Sequence, residues 1–125
     1  MPTEIVIETR DEPGVIAAIG ELFGEWRINI RAAAAFTYEG KGFLHFVVND
    51  AERAIAALKP AGWNVVQRRE VLQVSLDDQP GELGRYARRL ANAGISISTL
   101  YSAGGHGGDV ELIVAVENVE AAKEV

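Results

Sequence analysis

The chain has 125 residues, 48% of them hydrophobic and 24% charged, with a net charge of −6 and no cysteine. This is the balance of a folded chain rather than a disordered one. The acidic charge disfavours nucleic acid, whose phosphates must be neutralised, and the missing cysteine removes disulfides, thiol nucleophiles and Cys-ligated metal.

No apolar run reaches the length of a membrane span, and Met1-Pro2-Thr3-Glu4 lacks the basic-then-apolar pattern of a signal peptide. The expectation is a cytoplasmic protein with no membrane and no nucleic-acid partner. Arg85, Arg88 and Arg89 fall at helical spacing, which reads as a solvated helix face.

Residues 4–9 alternate as a strand, with Ile5 and Ile7 on one side and Val6 on the other. Asp11-Glu12-Pro13-Gly14-Val15-Ile16 follows, with Pro13 where a first helical turn tolerates it and Asp11 placed to cap the free N–H groups. A helix over 14–26 carries Val15, Ile16, Ile19, Leu22, Phe23 and Trp26 as one apolar stripe. Residues 28–36 read as a strand despite four consecutive alanines, and 38–42 as a turn.

Residues 43–48 are apolar on both faces, which predicts that both faces are covered. Asp50 opens a second helix that Pro60 and Gly62 stop, and a fourth strand begins at Trp63. The order strand, helix, strand, strand, helix, strand predicts a four-stranded antiparallel sheet with its helices on one face, the ferredoxin-like α+β arrangement.

The pattern then repeats. Pro80 and Gly81 stand 67 places after Pro13 and Gly14, within Asp78-Gln79-Pro80-Gly81-Glu82-Leu83. Leu72, Val74 and Leu76 alternate into this turn, and Leu83, Tyr86, Ala87, Leu90 and Ala91 form the helical stripe after it. Residues 95–100 match the second strand, 104–108 the hairpin turn and 110–116 the third strand, and Asn118 caps a last helix. Nothing follows that matches residues 58–69. The chain thus reads as unit 1 over 1–69 and a C-terminally incomplete unit 2 over 70–125. A half of this size is near the lower limit for an adequate core, so the units are expected to pack on each other and on a second chain.

A strand ending in Asp-x-Pro-Gly, then a helix of this length, then a Gly-Ile-Asn-Ile-like strand, found twice, resembles the ACT domain family. These are ferredoxin-like modules that mostly bind amino acids and regulate biosynthetic enzymes or transcription factors. The resemblance implies a ligand at the interface of neighbouring units. It points to Asp11, Glu12, Pro13, Gly14, Val15 and Ile16 with Asn29 and Ile30 in the first copy. In the second it points to Asp78, Gln79, Pro80, Gly81, Glu82 and Leu83 with Ser96 and Ile97. Ser96 stands where the family has Asn and reaches less far, and Arg27 stands where the family often has Gly, so the first copy ranks above the second.

The chemistry is compatible with that implication. A helix N-terminus suits a carboxylate, strand carbonyls, Asn29 or Asp11 suit an ammonium, and Gly14 lets a ligand approach the backbone. The plain alternative for the turn is a helix cap with no further role. Gly104-Gly105-His106-Gly107-Gly108 has no following Lys-Ser/Thr and joins two strands, so it is a hairpin tip rather than a phosphate loop. His45 and His106 have no carboxylate at ligand spacing, and no serine has an activating partner. The expectation is a regulatory, homodimeric, non-catalytic module with no cofactor and no metal, taking a small amino acid. The alternative is a ligand-free interaction module for a partner enzyme.

Overall fold

The computed structural model describes residues 2–125, His106 by its backbone alone. It divides into two compact units, residues 2–69 and 70–125. The first runs β1 (Thr3–Arg10), α1 (Val15–Glu25), β2 (Ile30–Tyr38), β3 (Lys41–Val48), α2 (Ala51–Leu58) and β4 (Asn64–Glu70). Its sheet has the order β2-β3-β1-β4. The second runs β5 (Leu72–Asp77), α3 (Glu82–Asn92), β6 (Ile97–His106), β7 (Asp109–Val116) and α4 (Val119–Lys123), with the sheet order β5-β7-β6 among the described residues. These are tandem ferredoxin-like units with antiparallel sheets.

Alternation decides the core. Ile5, Ile7, Leu44, Phe46 and Val48 face one side of the first sheet and bury against Ile19 and Phe23 of α1 and Ala54 and Leu58 of α2. Phe23 meets Phe46 edge-on, with ring centroids 5.5 Å apart. The stripe of α1 is narrower than its sequence suggests: Ile19 and Phe23 are buried, whereas Ile16 and Trp26 are exposed. The alanines of β2 form strand despite their helix propensity, because the ladder with β3 pairs them from Ala32↔Val47 to Ala35↔Leu44. In the second unit Leu72, Leu76, Tyr86, Leu90, Leu112 and Val114 make the matching core. Burial pushes the Tyr86 phenol above its ordinary value of 10.0, and the nearby Arg89 guanidinium pulls it part of the way back.

The opposite face of β1 and β3 is buried as well, as the two-sided apolar pattern of β3 predicts, and Val47 has no exposed surface. This face holds a charged cluster that sequence spacing does not reveal. Glu4 is 0% exposed, accepts a 2.8 Å hydrogen bond from Arg69 Nε, and lies 3.3 Å from His45 Nδ1. Antiparallel register supplies the carboxylate: Val6 pairs with His45 and Glu4 with Val47, so Glu4 and His45 are diagonal neighbours. Phe36 stacks at 5.7 Å on His45 and at 5.5 Å on Phe43.

Both long helices end on a left-handed residue that closes the last turn. After α1 it is Arg27 at φ 54, with the Ile28 N–H donating to Phe23 O at 2.8 Å. After α3 it is Gly94 at φ 74, with the Ile95 N–H donating to Leu90 O at 2.9 Å. Asp50 and Asn118 cap α2 and α4, accepting from Arg53 N–H at 3.1 Å and Ala121 N–H at 3.0 Å. The turn expected over 104–108 is shorter. β6 continues to His106, and only Gly107 and Gly108 turn, both with positive φ, which suits the twist of a two-residue hairpin.

Two outcomes are expected from these contacts. Arg27→Gly relieves a left-handed strain and stabilises by about 0.5–1 kcal/mol, whereas Gly94→Ala introduces it and costs about 1 kcal/mol; urea unfolding midpoints measure both. Arg69→Met leaves the buried Glu4 carboxylate without its hydrogen-bonded cation and costs about 3 kcal/mol, more than the same change paired with Glu4→Gln. A double-mutant cycle in urea reads that coupling.

Candidate functional site

Between β1 and α1 the chain must change from strand to helix within four residues. It does so at Gly14, the N-cap, at φ 90 and ψ −7. Pro13 sits one residue before the cap rather than inside the helix. Asp11 does not cap it either: α1 has no side-chain cap hydrogen bond, because a left-handed glycine already sets the entry angle. Gly14 O accepts from Ala18 N–H at 2.9 Å, and no side-chain cap competes for the N–H groups of the first turn, the groups that suit an anion.

A cavity of about 300 Å³ opens beside this turn, at the lower end of the range of small-molecule sites. Asp11, Glu12 and Gly14 form its rim, and Val15, Ile16 and Ala17 one wall. Ala35, Phe36 and Thr37 of β2 face them, and Gly42 and Leu44 of β3 lie beneath, with Thr9 and Arg10 at the side. Leu44 is buried, whereas Asp11 and Glu12 stay in solvent, so charge is confined to the mouth. Gly42 keeps the space open: a Cβ there would lie 2.5 Å from Thr9 Oγ1.

The family model of the ACT domain pair matches residues 4–125. The chain belongs to this family. Solved structures share its ACT fold at low identity. Protein BT0572 from Bacteroides thetaiotaomicron superposes with a TM-score of 0.89 at 22% identity, covering 98% of this chain and 83% of that one. The regulatory subunit of aspartate kinase from Thermus thermophilus, in a ligand-free form, gives 0.76 at 20%, covering 98% and 89%. That from Thermus flavus gives 0.74 at 18%, covering 98% and 88%. No curated protein matches the chain.

Within the first ACT unit the cavity gathers Asp11, Glu12, Gly14, Val15 and Ile16, with Pro13 next to them in the turn. Asn29 and Ile30 are not brought there. Ile30 pairs with Val48 and Tyr38 with Lys41, so the start of β2 lies about 26 Å from the cavity end of the strand. Asn29 exchanges hydrogen bonds with Asn49 instead, N–H to Oδ1 at 3.1 Å and O from N–H at 3.3 Å. Thr9, Arg10, Ala17, Ala35, Phe36, Thr37, Gly42 and Leu44 are lining residues that sequence reasoning missed. The signal for them is topological: α1 carries the chain away from the turn, so β2 must return to it and β3 must leave from it.

The second ACT unit repeats the turn. Gly81 is the N-cap of α3 at φ 91 and ψ −12, again without a side-chain cap bond. Asp78 N–H donates to Gly108 O and Gln79 N–H to Asp77 O, each at 2.8 Å. Glu82 forms an ion pair with Arg85, Leu83 is exposed, and Pro80 lies before the cap. Ser96 and Ile97 lie at the far end of β6, where Ile97 pairs with Val116. Among the described residues no group of three or more His, Asp or Glu is placed to hold a metal; the His106 side chain lies outside them. Among the described residues no helix is long and apolar enough to cross a membrane.

Because both turns rest on a left-handed backbone, Gly14→Ala and Gly81→Ala should each cost about 1–2 kcal/mol. Chemical denaturation of the two variants, compared with Gly20→Ala inside α1, checks this; an equal response of all three would remove the conformational argument.

Proposed function

We propose that this ACT pair is a non-catalytic, cytoplasmic regulatory module that binds a small amino acid at the first turn, Asp11–Ile16. The observation that carries the reading is the cavity itself, an apolar floor under a charged mouth at the start of an uncapped helix. The N–H groups of the first turn of α1 meet the ligand carboxylate, and Asp11 meets its ammonium. Gly14 leaves the backbone accessible. Since Asn29 and Ile30 lie at the far end of their own unit, they join the site only from a second copy of the chain, which makes the functional species a homodimer. The equivalent assignment in the second unit is Asp78, Gln79, Pro80, Gly81, Glu82 and Leu83 with Ser96 and Ile97.

Binding at such a shared site favours the packing of copies that completes it, and that difference in affinity is the regulatory output. Two of the solved structures that share the fold are regulatory subunits of aspartate kinase, which supports regulation of a partner enzyme by this chain.

A second reading has its own observation. Phe36 and Tyr38 on the edge strand β2 are 54% and 63% exposed, which suits a ligand-free interaction module whose edge pairs with a partner.

Thermal melts with each common amino acid at millimolar concentration decide between them. At a hundred times the dissociation constant the expected stabilisation is about 2.7 kcal/mol, together with a shift to dimer in sedimentation velocity, and Gly14→Val abolishes both. Melts that no amino acid moves, with an unchanged oligomeric state in Gly14→Val, favour the interaction module.

A further inference from the structure

We propose that the first unit selects an amino acid with an uncharged aliphatic side chain, and that the second unit is closed to it by its own side chains. The proposal rests on reading the cavity at Asp11–Ile16 as an amino-acid site. It draws on the difference between two copies of one architecture.

The interior of the cavity is built from Thr9, Val15, Ala35, Thr37, Gly42 and Leu44. None of these side chains carries charge, and the Thr9 hydroxyl already donates to Arg10 O at 3.0 Å. A charged ligand side chain placed against them would lose its water and gain no opposite charge, whereas an aliphatic one exchanges water for apolar contact. The charged groups, Arg10, Asp11 and Glu12, are exposed and stand where the ligand's own carboxylate and ammonium would be.

The second unit shows what fills this space when it is not kept open. Strand register sets the equivalences. Thr9 pairs with Gly42 in the first sheet, and Leu76 pairs with Val110 at the same place in the second. Leu76 is buried in the second core and Val110 packs against it. A threonine and a glycine have therefore become two apolar side chains that fill the room beneath the turn. The mouth differs as well. Val15 and Ala18 are replaced by Glu82 and Arg85, which pair with each other, and the Arg85 guanidinium lies 3.7 Å from where a Cβ on Gly81 would be. At Gly14 nothing lies within 4 Å of that position. One turn is open and the other is occupied from within.

Isothermal calorimetry on the full chain tests this with four probes, L-leucine, L-isoleucine, L-lysine and L-aspartate. The expected result is one site per chain for leucine or isoleucine, and binding at least tenfold weaker for lysine and aspartate. Gly42→Val should weaken aliphatic binding by at least tenfold. The double variant Thr9→Leu/Gly42→Val should do the same while keeping a cooperative melt, since Leu76 and Val110 already pack together in the second unit. Lysine or aspartate bound as tightly as leucine, two equal sites per chain, or full binding by a folded Thr9→Leu/Gly42→Val variant each overturn the proposal and leave the amino-acid reading standing. Binding of none of the four overturns the proposal, and the melts with each common amino acid then decide the amino-acid reading by themselves.

Discussion

A strand that hands over to a helix within four residues needs one backbone position that reverses the sense of the chain, and here that position is left-handed. Gly14 and Gly81 adopt nearly the same conformation, φ 90 and φ 91, and both helices start from it without help from a capping side chain. The arrangement of the first site follows from that constraint. The glycine aims the helix start at the ends of β2 and β3, leaves the first N–H groups uncommitted to a side chain, and puts no Cβ between them and whatever approaches. A capping Asp or Ser would have satisfied the helix and used up the same groups.

Duplication explains why the turn occurs twice, and packing explains why the copies are unequal. A small unit gains stability from every apolar side chain it adds to its core. The second unit has taken that course at Leu76 and Val110, while the first holds Thr9 and Gly42 at the same register and keeps a space. The two turns therefore differ in packing beneath the same backbone, one lined by Thr9 and Gly42 and the other filled by Leu76 and Val110.

Much of this was legible in the sequence, and what was not has identifiable physical reasons. Alternation in residues 4–9 and 72–76 and the doubled Pro-Gly fixed the strands, the helices and the repeat, and even the alanines of β2 could be placed by the strands around them. Capping by Asp11 was misread because composition shows which residues can cap a helix and not which backbone makes a cap unnecessary. The resemblance groups Asn29 and Ile30 with the turn across an interface of units, and within their own unit antiparallel connection brings β2 back toward the turn only by its far end. The equivalence of Gly42 and Val110 was hidden by one residue. The repeat offset is 67 at the turn but 68 in the third strand, because β6 carries an irregularity between Ser102 and Gly105. Counting from the turn therefore pairs Gly42 with Asp109, and only the ladder corrects it.

The ion pair between Glu4 and Arg69 joins the first strand of its unit to the last, 65 residues apart in sequence. A carboxylate with no exposed surface is costly to bury without a partner, so the face of β1 that carries Glu4 is costly to cover while residue 69 is still missing. During synthesis from the N-terminus, that carboxylate favours water until β4 has emerged. Glu4 thereby marks the unit as finished: truncations that stop short of Arg69 would keep the amphipathic pattern of the fold and lose the contact that lets its second face become dry.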